Sequence, residues 1–343
     1  MLTKLKALLE QNDLTDLAKK ARFQPKTILQ LLLFAAVFMI GNAVNGIIIG
    51  VPAGIIAAKK MTALLTQSQY LPTDVFSLTT NITQSMYEFT WFKALSLFGT
   101  VFTTAAAIIF CTRLEKRSAA SMGFHKKNSV KKYLLGYVIG GIMLAVTCML
   151  NRLFGGIRFT VSDGIVKMLP ILLLMFAGYM VQGMSEEVLV RGYLQMTLSI
   201  HKKQWFAVLS SAFVFAALHL FNPGISVLAF FNIFLFGVLM SLLLLRTNSI
   251  WFVSALHAAW NFAQGHLFGI SVSGTGMNKE TLLQSTFAAG KKLINGGDFG
   301  IEGGICTTIV LVIAIAAVIL SVKSKEEPVT AQEENTVTAG SIG

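Results

Sequence analysis

Eight apolar blocks divide this chain of 343 residues, at 28–57, 91–112, 133–150, 168–190, 205–221, 225–245, 250–269 and 305–322. Most are near twenty residues long, and at about 1.5 Å per residue that length crosses the roughly 30 Å hydrocarbon core of a bilayer. In lipid every backbone N–H and C=O needs an internal partner, so the blocks are predicted to be helices. Composition agrees: 54% of the residues are hydrophobic and 13% charged, against roughly 25% charged in a soluble domain. The balance excludes a disordered chain and argues against a soluble enzyme. The expected fold class is all-α, a polytopic membrane protein with about eight transmembrane helices.

Between the blocks the chain is predicted to run as a cytosolic amphipathic segment at 1–27, the first three spans and their loops at 28–164, and four spans at 165–268. A Gly-rich flexible outer loop at 269–304, the last span at 305–322 and a polar disordered cytosolic tail at 323–343 complete it. Residues 1–27 alternate Leu with charged residues and read as one amphipathic helix at the membrane surface, not as a cleaved signal. Pro52 is expected to kink the first helix or end it early. Asn222-Pro223-Gly224 forces a tight turn between the fifth and sixth.

Net charge is +12, which in a soluble chain would suggest nucleic acid. Here the basic residues flank apolar blocks, where they set topology and touch lipid headgroups, so no nucleic-acid partner is expected. With the N-terminus inside, cytosolic segments hold 18 of them and outer segments nine. That excess predicts that both termini are cytosolic. Cys111, Cys148 and Cys306 lack CxxC spacing and read as packing residues.

Of the sixteen acidic residues, only Glu186 and Glu187 lie inside an apolar helix. A carboxylate there costs roughly 3 kcal/mol on insertion scales, so the pair must be compensated. Arg191, four residues after Glu187, shares its helix face. Glu186 points about 100° away, which leaves one carboxylate paired and one free. An ion pair that merely pins helix packing would need a single carboxylate.

Two other blocks supply polar groups at matching spacing. Phe215 and His219 lie four apart on the fifth, His257 and Asn261 four apart on the seventh. Polar groups on three helices can satisfy one another only around a shared buried cavity. His125 and His201 fall in loops, and His266 is about 180° around the helix from His257, so these three are set aside. Counted along the helices, Glu186 and His257 fall at compatible depths, whereas His219, roughly 21 Å along its helix from Trp205, lies nearer the outer face.

The ordered series EExxxR at Glu186, Glu187 and Arg191, FxxxH at Phe215 and His219, and HxxxN at His257 and Asn261 resembles the CPBP family, the membrane-embedded CAAX-protease and bacteriocin-processing enzymes. The resemblance covers approximately 165–268. It implies an intramembrane glutamate endopeptidase with a hydrophilic cavity opening to the cytosol, no cofactor, and a peptide or protein substrate that is membrane-associated or lipidated. Carried over, Glu186 and His219 would activate the attacking water and His257 with Asn261 would stabilise the oxyanion. Glu187 and Arg191 would support them, Arg191 by orienting the acidic pair. A bacterial plasma membrane is the expected location. The chemistry is consistent: peptide hydrolysis needs a base for water, an acid for the leaving amine and donors for the tetrahedral oxygen.

Three other readings fit part of the pattern. A zinc hydrolase would use Glu186, His219 and His257 as ligands, but leaves Asn261 and Glu187 without jobs. A transporter with a proton relay would draw on Asn42, Asn45 and Gln182, yet no inverted repeat and no second acidic helix is present. A non-catalytic scaffold or immunity protein would keep the fold and lose turnover. Asn232, within a Phe-rich stripe, is expected to face the cavity.

Overall fold

The computed structural model describes residues 1–10, 12–67 and 90–322. Helices occupy all eight apolar blocks. In chain order they are α3 (Thr27–Gln67), α4 (Thr90–Gly99) continued by α5 (Val101–Ile109), α6 (Ser129–Leu153), α7 (Ile165–Glu187), α9 (Gln204–Ala217), α10 (Val227–Thr247), α11 (Ile250–Phe262) and α13 (Ile305–Leu320). The short helices α1 (Leu2–Glu10) and α2 (Asp13–Ala18) precede them, α8 (Met196–His201) follows α7, and α12 (Lys292–Asn295) precedes α13. Among the described residues five stretches are long and apolar enough to cross a membrane, the longest being 165–201. The chain is an all-α integral membrane protein.

Among the described residues three stretches widen into π-helical turns: Phe110–Leu114, Val188–Gln195 and Ala263–Leu267. The second joins α7 to α8 and carries Arg191. Such turns shift the hydrogen-bond ladder to i→i+5 and recur at functional sites.

Helix α11 is the hub, packed against α6 and α7. It gets close because glycines face it. Gly136 and Gly140 lie against the carbonyls of Phe252 and Leu256, and a side chain on Gly183 would sit 2.8 Å from Ala258 N and 2.9 Å from Ser254 O. Gly183 lies one turn before Glu187, so this contact brings the acidic pair to the helix bearing His257.

The bundle has two distinct ends. At one, Lys4 Nζ donates to Leu320 O (2.7 Å), Asn12 Nδ2 to Leu245 O (2.9 Å) and Lys132 Nζ to Thr247 O (2.8 Å), seating α1 and α2 on the helix termini. At the other, β1 (Ile157–Val161) pairs antiparallel with β2 (Leu283–Phe287), Ile157 opposite Phe287 and Val161 opposite Leu283.

Several expectations need correction. The 269–304 segment is ordered: besides β2 and α12 it buries Phe299 and Ile301 completely, and Asn295 Nδ2 ties it to Gly156 O (3.0 Å). Glycine richness there serves left-handed turns, as at Gly296 (φ 82°) and Gly300 (φ 97°), where a Cβ would be strained. The N-terminal segment is two helices, because Asn12 Oδ1 accepts from Leu14 N and caps a new start. Helix α3 runs through Pro52 without ending. All three cysteines are buried and free, in keeping with packing roles. The predicted tail at 323–343 lies outside the described residues.

Candidate active site

Helix α7 carries Gln182, Glu186 and Glu187, and the π-helical turn after it carries Arg191. One carboxylate oxygen, Glu187 Oε1, accepts from both Arg191 Nη1 (3.1 Å) and His257 Nδ1 (2.8 Å). The opposite ring nitrogen, His257 Nε2, lies 3.8 Å from Glu186 Oε2. Glu186 Oε1 in turn accepts from Gln182 Nε2, and Gln182 Oε1 accepts from Asn261 Nδ2 (3.0 Å). A continuous polar chain therefore runs Arg191, Glu187, His257, Glu186, Gln182, Asn261, crossing three times between α7 and α11.

Burial grades along that chain. Glu187 and Arg191 are fully enclosed, His257 nearly so, and the Glu186 side chain is 31% exposed. One carboxylate is thus locked in an ion pair and its neighbour opens onto space, as the spacing predicts. Arg191 touches Glu187 but not Glu186; the residue holding Glu186 is Gln182. The Arg191 guanidinium also lies 4.3 Å above the Phe215 ring, a cation–π contact that partly offsets its desolvation.

His219 belongs to the same cavity, and its depth now has a reason. It sits one turn beyond Phe215, whose ring stands between the two histidines, with centroids 4.9 Å from His219 and 6.0 Å from His257. Arg191, against the Phe215 ring, and Glu187 lie outside the cavity lining, whereas His257 belongs to it. His219 Nδ1 donates to Phe215 O (2.8 Å), which in the neutral ring leaves Nε2 as an acceptor. The cavity is about 140 Å³ and is lined by Gln182, Glu186, His219, His257 and Asn261 together.

Its upper wall comes from the segment expected to be a flexible loop. Ser273 and Glu302 line the cavity, and Asn222 Nδ2 holds Ser273 O (2.8 Å). Asn232 faces it as expected, but its amide is engaged with Glu302 O (2.7 Å) and Gly304 O (2.9 Å), hooking the segment to α10. Asn232 lies five residues into α10 and Thr307 two into α13, so the upper wall belongs to this end, while His257 lies seven residues into α11 counted from the end bearing α1 and α2. His266 does lie outside the cavity, buried with Nδ1 donating to Glu280 O (2.8 Å).

Among the described residues no three His, Cys, Asp or Glu side chains come together as a metal-holding group. The zinc set Glu186, His219 and His257 shares a cavity without that arrangement.

Sequence reasoning left four contributors without a site role. Gln182 had a signal, being four residues before Glu186 on the same face. Ser273 and Glu302 had none, since their placement depends on how the outer segment folds. Arg117 was counted as a topological charge. It is fully buried, bonded to Glu115 Oε2 (2.7 Å), and its Nη2 donates to Gly192 O (3.2 Å), Tyr193 O (3.4 Å) and Thr197 Oγ1 (3.2 Å). It thereby grips the π-helical turn carrying Arg191 from outside. Burial pushes the Glu115 carboxyl above its ordinary range, and Arg117 opposes that shift.

Nothing among curated proteins or solved structures matches the chain. A family model described as type II CAAX prenyl endopeptidase, Rce1-like, matches residues 168–263. That stretch holds every residue of the polar chain and His219, and it agrees with the motif series. Residues 168–263 are accordingly similar to a CAAX protease domain, carried within an integral membrane protein.

Proposed function

We propose that the protein is an intramembrane endopeptidase of the glutamate type, cleaving a membrane-associated peptide or protein. The observation that carries the reading is that Glu186 from α7, His219 from the turn after α9, and His257 and Asn261 from α11 line one cavity, while their partners Glu187 and Arg191 are sealed behind it.

The geometry supports definite roles. Glu186, the carboxylate without a guanidinium, takes a proton from water as its oxygen attacks the peptide carbonyl. The tetrahedral oxyanion accepts from His257 Nε2 and from the second N–H of Asn261 Nδ2, the first being held by Gln182. For His257 to donate there both ring nitrogens carry protons, and Glu187 on one side and Glu186 on the other are placed to balance that charge. His219 Nε2 relays a proton to the leaving amine. Glu187, Arg191 and Gln182 are positioning residues.

The test compares peptide termini in membrane fractions carrying wild type or Glu186→Gln. New termini are expected with wild type only, both proteins accumulating equally; termini unchanged by the substitution would refute the assignment. Cleavage is expected to persist under strong chelation. Loss that only zinc reverses would instead favour a metal hydrolase.

A further inference from the structure

Among the described residues a larger cavity, about 710 Å³, lies at the end of the bundle that α1 and α2 cover. It is a groove with those two helices on one side and the end of α8 and the start of α9 on the other, and it shares no lining residue with the cavity of Glu186. Its level is fixed by its neighbours. Lys4 and Asn12 donate to carbonyls in the last turns of α13 and α10, so the groove lies where the apolar spans end and headgroups begin. Leu5, Leu9 and Trp205 give it an apolar wall, and the indole, 50% exposed, has the position that tryptophan favours at a membrane–water interface.

Four lysines and two carboxylates line the groove, a net formal charge of +2. Both carboxylates are matched: Lys6 Nζ lies 3.6 Å from Glu10 Oε1, and Lys19 Nζ 4.0 Å from Asp16 Oδ1. Lys202 and Lys203, adjacent and exposed, form no ion pair among the described residues. Next to them Gln204, 7% exposed, uses Oε1 to accept from Thr15 Oγ1 (3.0 Å), while its Nε2 has no hydrogen-bond partner among the described residues. No side chain caps the start of α9 at Lys203, which leaves its first backbone N–H groups without intrahelical acceptors as well. These unmet groups are all cations or donors. What complements them is an anion with several acceptor oxygens, as a phosphate has.

We infer that this groove binds the headgroup phosphate of an anionic phospholipid, with the glycerol and upper acyl carbons against Leu5, Leu9 and Trp205. Free phosphate shares the anionic chemistry, but it has no use for the apolar wall, and the groove's level at the ends of the spans assigns it to lipid. A zwitterionic headgroup would carry its own ammonium into a site already in cationic excess, so charge selects against it. The bound lipid bridges α1 and α2 to α8 and α9, across nearly two hundred residues of sequence. The inference does not rest on the proteolytic reading.

The test uses the purified full-length protein, delipidated in detergent and titrated with phosphatidylglycerol or with phosphatidylcholine of the same acyl chains, bound lipid being counted by native mass spectrometry. Wild type is expected to bind phosphatidylglycerol on the order of 10-fold more tightly than phosphatidylcholine. Lys202→Gln with Lys203→Gln should erase that preference. Lys126→Gln with Lys127→Gln, which removes the same charge from the loop before α6 at the same end of the bundle, should leave it intact. Equal affinity of wild type for the two lipids, or equal loss in the two double variants, would overturn the inference. So would displacement of phosphatidylglycerol by sodium phosphate and not by sodium chloride at equal ionic strength, which would assign the groove to free phosphate. All four replaced lysines are exposed, and the wild-type comparison of lipids needs no variant, so a misfolded variant leaves the test intact.

Discussion

Among the described residues two glutamate–arginine pairs are completely buried, Glu115 with Arg117 and Glu187 with Arg191, and they are satisfied in opposite ways. Arg117 spends its guanidinium on a carboxylate, two backbone carbonyls, two hydroxyls and the Cys111 sulfur. Arg191 has one hydrogen bond and a ring face, and its Nε and Nη2 have no hydrogen-bond partner among the described residues. The first pair ends in a dead end of packing. The second continues through His257 to a carboxylate that meets a cavity. Both bear on the same π-helical turn, one from outside and one from within. A buried ion pair is therefore no marker of function by itself; what sets the second pair apart is the titratable neighbour left over after pairing.

The contrast can be broken by mutation. Arg117→Ala strands Glu115 without a counter-charge and is expected to cost about 3–5 kcal/mol, read as loss of membrane accumulation and a lowered unfolding midpoint in detergent. Arg191→Ala should destabilise less, by about 1–3 kcal/mol, because His257 still donates to Glu187 Oε1; turnover should nevertheless vanish. If the two variants lose stability equally, the distinction between the pairs fails. Gln182→Ala sharpens the picture further. It frees Asn261 without touching either pair, and kcat should fall about 10-fold at unchanged KM and unchanged unfolding midpoint. Smallest in energetic effect is a labelling experiment. Single cysteines at Leu2 and Met277, both well exposed, should react with an impermeant thiol reagent from opposite faces of the membrane, and it reports which face the cavity adjoins.

Much of this arrangement was legible in the chain because lipid makes burial of polarity expensive. A helix of MLPILLLMFAGYMVQGMS followed by two glutamates has few permissible explanations, and helical spacing alone linked Glu187 to Arg191 and Phe215 to His219. The π-helical turns were not legible, since an extra residue per turn leaves no mark in apolar periodicity. Nor were β1 and β2, whose partners lie more than a hundred residues apart. Glu302 and Ser273 were hidden for the same reason: their meeting with Gln264 is a property of the folded outer segment. Arg117 was obscured by its surroundings, one basic residue among seven between Arg113 and Lys132, where topology explains charge well enough that a buried one goes unnoticed.

The cavity's modest size carries a consequence for what can be cut. A side-chain-bearing α-helix is about 10–12 Å across, far wider than anything 140 Å³ admits. Neighbouring membrane helices are thus spared by their own girth. Under the proposed chemistry only a stretch that has unwound, or never coiled, threads its backbone to Glu186, which ties the rate of hydrolysis to how readily the victim comes apart.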